Sequence, residues 1–491
     1  MAGRHARATR GRPAWVVAAL LTLLYLGGTA LMPVSSAAFT ATTTGPASTF
    51  PARSTFGLTQ TAGCLNDTGT SGCTGATGIV GGTSVVVSPD GKHVYVGSVN
   101  GDSSGVAAFS RNTTTGALTQ LASPHRCYSN VDVTGCTTVQ GLLLSVYDLA
   151  ISPDGRHVYA VAFGSSTLVA FSRNATTGAL TPLSGTARCL YDNTVANPGG
   201  CTAARKFLNP DGVIVSPDGA YVYVASHGSD ALTVLARNAT TGALTQPADA
   251  SGCYTNNSTA GTCTLARGMD EPYYLRTSPD GTTVYVAAYR SNAIAIFQRN
   301  MSTGVLMQPA SPNGCVYTGN GNANCTLVKG LSGAYFVGVA PDGATVYGVG
   351  NTGGTVAAFT RNATSGLLTQ LASPNSCVYG GTMTGCTTAR AVTNPVGIAF
   401  SPDGLFAFVP AAGSDAVAVF RHNNGTGVLT QLSGTSGCVA LTTAAGCTAV
   451  LGMSLGGATG TAGIAVSPDG RDVYVAGGSA NGSVAVLNLS H

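Results

Sequence analysis

The tetrapeptide Ser-Pro-Asp-Gly returns at Ser88, Ser152, Ser216, Ser278, Ser401 and Ser467, with Ala340-Pro341-Asp342-Gly343 as the one variant. The intervals are 64, 64, 62, 62, 61 and 66 residues. A fixed period of that length constrains the fold more than any other feature, because one unit of about 63 residues cannot close its own apolar faces and has to stack on copies of itself. Seven such units account for nearly everything after residue 53.

Each unit offers four short extended segments. In the first, Val85-Val86-Val87 runs into Ser88-Pro89-Asp90-Gly91, and Val94-Tyr95-Val96, Val106 to Phe109 and Leu118 to Leu121 follow. Runs rich in β-branched and aromatic residues between Gly, Pro, Asn and Asp clusters are strands. Pro presets φ for the turn, and Gly relieves the strain at its exit. The Arg-Asn-x-x-Thr-Gly link, as in Arg111 to Gly116, Arg173 to Gly178 and Arg237 to Gly242, is a second turn of the same kind. Four antiparallel strands repeated seven times predict an all-β, seven-bladed β-propeller. The last unit ends after its third strand, Val484 to Leu487, while Gly57-Leu58-Thr59-Gln60 repeats the fourth-strand text of Ala117 to Gln120. The N-terminal strand is therefore expected to complete the last blade, which hides the open edges.

The cysteines follow the same period and fall as seven pairs with none left over. These are Cys64 with Cys73, Cys127 with Cys136, Cys189 with Cys201, Cys253 with Cys263, Cys315 with Cys325, Cys377 with Cys386, and Cys438 with Cys447. Even parity and near-constant spacing predict one local disulfide per blade. A structural zinc site would need closer cysteines or neighbouring His. Closing a loop of about ten residues is worth roughly 2.5 to 3 kcal/mol in the chain-entropy picture.

Arg4, Arg7, Arg10 and Arg12 precede the apolar run Trp15 to Met32 and then Ser35-Ser36-Ala37-Ala38, the order of a secretory signal. Cleavage near Ala37 is expected, giving a signal over residues 1–37, a linker over 38–53 and the propeller over 54–491. The alternative is an uncleaved membrane anchor. Loss of the signal removes four Arg, leaving 19 basic against 19 acidic residues, and takes the only Trp, Trp15. A nearly neutral chain without a basic stripe does not suit nucleic acid. Secretion or a cell-surface location follows as the expectation.

With these motifs, "SPDG, two residues, VYV, a loop, V-x-x-F, RN-x-x-TG-x-L", the chain resembles the lactonase-type seven-bladed propellers and the related surface propellers named for YVTN repeats. The resemblance covers about residues 54 to 491 and rests on turn and core residues. It implies the propeller fold and raises hydrolysis of a small sugar lactone, of the 6-phosphogluconolactonase kind, as an activity. The paired Cys depart from the cytoplasmic lactonases and suit an exported branch.

Function is expected where the repeat breaks. The variable loops and the channel mouth are the places to look, because binding residues sit on loops held by a rigid scaffold. Ahead of the inner strands stand Tyr147 and Asp148, Asp211, and Asp270 and Glu271 with Tyr273, Tyr274 and Arg276. His227, Tyr289 and Arg290 stand in the second-to-third strand loops of the same blades. Glu271 is the only Glu, and Arg276 replaces Val86, Ala150, Ile214, Gly338, Ala399 and Ala465 of the other units. Asp148, Glu271 or His227 could act as a base, with Arg276 and Arg290 holding a carboxylate or oxyanion. Tyr147, Asp211, Asp270, Tyr273, Tyr274 and Tyr289 are candidate binding residues. Asp148, Asp211 and Glu271 could instead ligate Ca²⁺. The plainest reading pairs Glu271 with Arg276 and lets the tyrosines plug the channel. His93, His125, His157 and His422 are expected on the surface. The sequons at Asn112, Asn174, Asn238, Asn300 and Asn362 are read as turn chemistry rather than glycosylation.

These features favour an exported binding scaffold for a protein, glycan or small molecule. The alternatives are a lactone hydrolase, which requires Arg276, Glu271 and Asp148 in one water-filled pocket, and a self-assembling surface protein.

Overall fold

A computed structural model describes residues 57–490, apart from 100–103, 140, 257–261, 320–323, 443–445, 456–462 and 479–481. The expected signal and linker lie outside the described residues. Among the described residues, no helix is long and apolar enough to cross a membrane.

Seven sheets form, one per repeat. In blade 1 the inner strand Gly82–Val87 pairs with His93–Ser98, which pairs with Gly105–Arg111. The fourth position is split between Leu118–Gln120 and Cys127–Ser129, both antiparallel to the third strand. A short fifth strand, Thr137–Thr138, lies parallel on the outside.

The disulfides tie this outermost parallel pair together, and all seven form as the spacing predicts. Cys64 bonds to Cys73, Cys127 to Cys136, Cys189 to Cys201 and Cys253 to Cys263. Cys315 bonds to Cys325, Cys377 to Cys386 and Cys438 to Cys447. Their Cα–Cα distances run from 4.5 to 4.9 Å, within the reach of an S–S bridge. Such a set fits an oxidising environment.

The N-terminal strand closes the ring as expected. Gly57–Thr59 pairs antiparallel with Ser483–Ser490, Leu58 opposite Leu489, and Cys64–Asn66 continues the same edge. Gln60 does in blade 7 what Gln120, Gln246, Gln308, Gln370 and Gln431 do elsewhere: its amide brackets a backbone segment of the neighbouring blade, accepting from Leu451 N–H (2.7 Å) and donating to Leu451 C=O (2.8 Å).

The second strands are packed on both faces by neighbouring blades, so they read as continuous apolar runs rather than as alternating ones. At the turn face a polar device joins successive blades. The Arg that opens each Arg-Asn turn reaches the Asp of the preceding blade's Pro-Asp-Gly turn: Arg173 to Asp90, Arg237 to Asp154, Arg299 to Asp218, Arg361 to Asp280 and, across the closure, Arg111 to Asp469, at 2.6 to 2.8 Å. The Tyr of the preceding blade's second strand donates to the Gly carbonyl of the same turn, as in Tyr95 to Gly178 (2.7 Å) and Tyr159 to Gly242 (2.9 Å). Among the described residues, two interfaces lack the ion pair. His422 holds the Arg register in blade 6 and Leu489 holds it in blade 7. At the latter interface the Tyr is also missing, since Phe408 stands in its place.

This arrangement corrects the expectation for the histidines. His93, His157 and His422 are buried, because their positions lie inside the turn-face latches rather than on an outer surface. His93 Nδ1 lies 2.7 Å from Arg173 Nη2, and His157 Nδ1 lies 2.7 Å from Arg237 Nη2. His125 is half-buried, with Nδ1 3.1 Å from the Tyr128 hydroxyl. In the sequon turns each Asn Oδ1 accepts two backbone N–H groups, as Asn112 does from Thr114 and Thr115, which is the turn chemistry expected of them.

Candidate functional site

The inner strands line a central cavity of about 290 Å³. Its wall is built mainly of small and apolar residues, including Val86, Ala150, Ile214, Gly397 and Ile464, with Ser84, Asp148 and Arg276 as its distinctive polar groups. The lining continues to Ile151, Val215 and Thr277, the last inner-strand residues before the turns. Tyr147, Asp211, Tyr273 and Tyr289 are not part of it. The channel site thus extends toward the turn face, beyond the variable loops and the channel mouth to which the sequence points.

Asp148 is held by three blades. Its Oδ1 accepts from Ser84 Oγ and from its own neighbour Leu149 N–H, both at 2.9 Å, and its Oδ2 accepts from Val213 N–H at 3.1 Å. Burial pushes its carboxyl above the usual range, and the nearby Arg276 with these donors opposes that shift. The Arg276 guanidinium lies over the Phe336 ring at 4.5 Å and donates from Nη1 to Leu275 C=O at 2.8 Å. Burial pulls it below the ordinary arginine range, with Asp148 acting against that, and a guanidinium still keeps its proton at neutral pH. Arg276 joins none of the salt bridges among the described residues. A cation and a carboxylate therefore face the same small cavity without touching.

Glu271 is elsewhere. It sits at the left-handed position that precedes each inner strand, with φ 53°, where other blades carry Gly81, Ser145, Asn209, Gly333 and Asn394. Its carboxylate pairs with exposed Arg290 at 3.0 Å, and its N–H donates to Asp230 Oδ1 at 2.9 Å. The expected Glu271–Arg276 pair is not formed, because five residues of strand carry Arg276 down into the channel while Glu271 stays at the rim. The same separation removes Glu271 from any pocket shared with Asp148 and Arg276. Asp270 lies beside Glu271 and Asp230, and burial followed by the Asp230 charge raises its carboxyl. Among the described residues no three His, Cys, Asp or Glu side chains are grouped to hold a metal ion.

Above the cavity, blades 2 to 5 insert a column of rings. Tyr147 stacks on Phe163 (4.9 Å), Phe163 on His227 (5.1 Å) and His227 on Tyr273 (5.1 Å, 11° between planes). Tyr273 meets Tyr289 and Tyr335, and Tyr274 meets Tyr335 and Phe336. Centroid distances near 5 Å are in the favourable range for aromatic pairs. Within the column His227 Nδ1 lies 2.7 Å from Asp211 Oδ2. Asp211 is fully buried, and its Oδ1 has no hydrogen-bond partner. Burial pushes the Asp211 carboxyl up to about 6 in spite of the bond to His227. For His227, burial acts downward but the Asp211 bond and charge prevail, so its pKa is raised. The pair as a whole thus holds its proton to higher pH than a free imidazole would.

Phe163, Tyr335, Phe336 and Ser84 went unnoticed in the sequence. The first three were within reach of the repeat-breaking argument, since Phe163 aligns with His227 and Tyr289, and Tyr335-Phe336 with Tyr273-Tyr274.

Residues 210–312 match the family model described as lactonase, 7-bladed beta-propeller. That span begins at the inner strand of blade 3 and carries Asp211, His227, Glu271, Arg276 and Arg290. No curated protein matches the chain. A solved structure from Bacteroides fragilis, provisionally assigned as a 6-phosphogluconolactonase, is similar at 19% identity and a TM-score of 0.50, over 71% of this chain and 82% of the other. A protein from Lactobacillus plantarum is similar at 18% identity and a TM-score of 0.50, over 76% and 86%. These likenesses are of fold: the chain is a seven-bladed propeller that resembles the lactonase type.

Proposed function

We propose that this chain is an exported receptor that holds a small hydroxylated carboxylic acid, or its lactone, in the central channel without covalent chemistry. The observation that carries the reading is Arg276, the one guanidinium in a ring whose other six positions are Val86, Ala150, Ile214, Gly338, Ala399 and Ala465. Arg276 is half-buried, and a partly desolvated cation without a contacting carboxylate is costly unless something of opposite charge joins it. A ligand carboxylate or carbonyl would pair with the guanidinium, and a ligand hydroxyl would reach the remaining lone pairs of Asp148 Oδ2. The Asp148 oxygens already accept three donors, which suits positioning better than proton abstraction.

Lactone hydrolysis is the second reading, favoured by the family match and by the His227–Asp211 pair, which has the base-and-orienter form that activates water. The deciding experiment offers gluconate and a panel of aldonolactones to purified, disulfide-bonded protein. Saturable gluconate binding lost in Arg276→Ala and kept in Glu271→Gln, with no turnover above buffer, supports the receptor. Lactone turnover abolished in His227→Gln and Arg276→Ala overturns it in favour of the hydrolase.

A further inference from the structure

Four charged groups lie in the channel and the ring column above it: Asp148 and Arg276 in the cavity wall, Asp211 and His227 in the column. His227 is packed by Phe163 from blade 2 and Tyr273 from blade 4, and the charged groups facing it are Asp211, Glu271 and Asp230. Asp211 is faced by His227 and by Asp148 from blade 2, with the hydroxyls of Tyr147, Tyr273, Tyr274 and Tyr335 around it. Arg276 is faced by Asp148 and Tyr274. Asp148 and Asp211 are tied through one stretch of backbone, because Asp148 Oδ2 takes the N–H of Val213, two residues beyond Asp211.

With His227 protonated, the Asp211–His227 pair is neutral, and Asp148 and Arg276 balance each other. With His227 neutral, Asp211 is left as an uncompensated buried carboxylate, one of whose oxygens has no partner. The interior then carries a net negative charge in a setting of low dielectric, where a unit charge acts strongly.

We propose that the Asp211–His227 pair is a proton-linked control on the channel site, so that an anion binding at Arg276 takes up a proton on this pair and affinity falls when the pair loses it. The inference rests on the receptor reading above. It follows from linkage that the bound anion holds the proton on the pair to higher pH, by the same factor that the proton strengthens the anion.

The test is calorimetric titration with gluconate between about pH 5.5 and about pH 8.5, the range in which a His–Asp pair changes charge, in two buffers of different ionisation enthalpy. Affinity should fall about threefold to tenfold toward alkaline pH, the effect of one unit charge across a partly screened site, with fractional proton uptake on binding. In the double variant His227→Gln/Asp211→Asn, which leaves no titrating group in the pair, the slope and the proton uptake should vanish while binding persists. Asp211→Asn alone takes away the carboxylate that holds the proton on His227 and should move the fall in affinity to lower pH. An unchanged slope in the folded double variant, with binding still lost in Arg276→Ala, overturns the inference and leaves the receptor standing. Absence of any Arg276-dependent gluconate binding overturns the receptor reading and the inference with it.

Discussion

The turn-face latch between blades 2 and 3 can be isolated against a control supplied by the repeat itself. Asp154 accepts from Ser152 Oγ (2.5 Å) and Arg156 N–H (3.0 Å) within its own turn. Asp403 accepts from Ser401 Oγ (2.5 Å) and Leu405 N–H (3.0 Å) in the equivalent turn. The difference is that Asp154 also receives both contacts of Arg237 Nη2, at 3.0 and 2.8 Å, whereas Asp403 has no ion-pair partner among the described residues. Subtracting the cost of Asp403→Asn from that of Asp154→Asn removes the turn and leaves the latch.

Burial raises the Asp154 carboxyl, but the Ser152 and Arg237 bonds outweigh it and hold it at about 2. The Asp154 side chain is 33% exposed, so the latch is discounted for water to about 1 to 2 kcal/mol. Arg237→Met should cost more, about 2 to 4 kcal/mol, because the guanidinium is 1% exposed and also donates to Gly219 C=O (2.8 Å) and the Tyr159 hydroxyl (3.0 Å). The assay is urea unfolding of disulfide-intact protein, read as the midpoint at constant m. Equal costs for Asp154→Asn and Asp403→Asn would refute the claim that these pairs bind the blades together.

Two further outcomes follow from the same contacts. Burial, and then the adjacent Arg173 and Arg237, push His93 and His157 below the ordinary 6.5, so the unfolded chain takes up protons first and stability should decline as pH drops below 6.5. Asp90 and Asp154, held at about 2 against 3.8, keep their contribution above about pH 4 and lose it toward pH 2. Urea midpoints across pH should therefore fall in two stages, and His157→Gln should weaken the first; a midpoint flat from pH 7 to 5 would contradict the burial of these rings. At the closure, Leu58→Ala should cost about 2 to 3 kcal/mol, like its counterpart Leu118→Ala, since Leu58 is 3% exposed against Leu489. A silent Leu58→Ala would mean that the N-terminal strand does not hold the ring shut in solution.

The architecture was legible because it is written locally and seven times. Turn tetrapeptides, cysteine spacing and the missing fourth strand each reported on contacts within one repeat or at its ends. The outer edge was less so, as a fourth position split in two and capped by a parallel strand leaves no periodic signature beyond the cysteines. The buried histidines were misread for a different reason. His93 looks polar in its own strand, and only its neighbour Arg173, from the next repeat, makes the site one where a neutral imidazole is satisfied. The same holds for Glu271: sequence distance suggested Arg276, whereas the left-handed backbone turns Glu271 toward Arg290 at the rim.

Placement of the irregular residues against the latches carries one more step. The polar and aromatic insertions lie in blades 2 to 5, and every interface from blade 1 to blade 5 has its Arg–Asp pair. The two interfaces without one flank blade 6, whose inner strand is reduced to Ala399–Phe400. A buried carboxylate such as Asp148, held by donors from three successive blades, keeps its geometry only if those blades do not shift against one another. The latches provide that restraint in the sector that contains Asp148, Asp211 and Arg276, and the closure interface, where the wall is Gly463, Ile464 and Val86, keeps its Arg111–Asp469 pair as well. The Arg237→Met variant should accordingly weaken gluconate binding even though Arg237 lies on the turn face, and unaltered binding in that destabilised variant would separate the latches from the site.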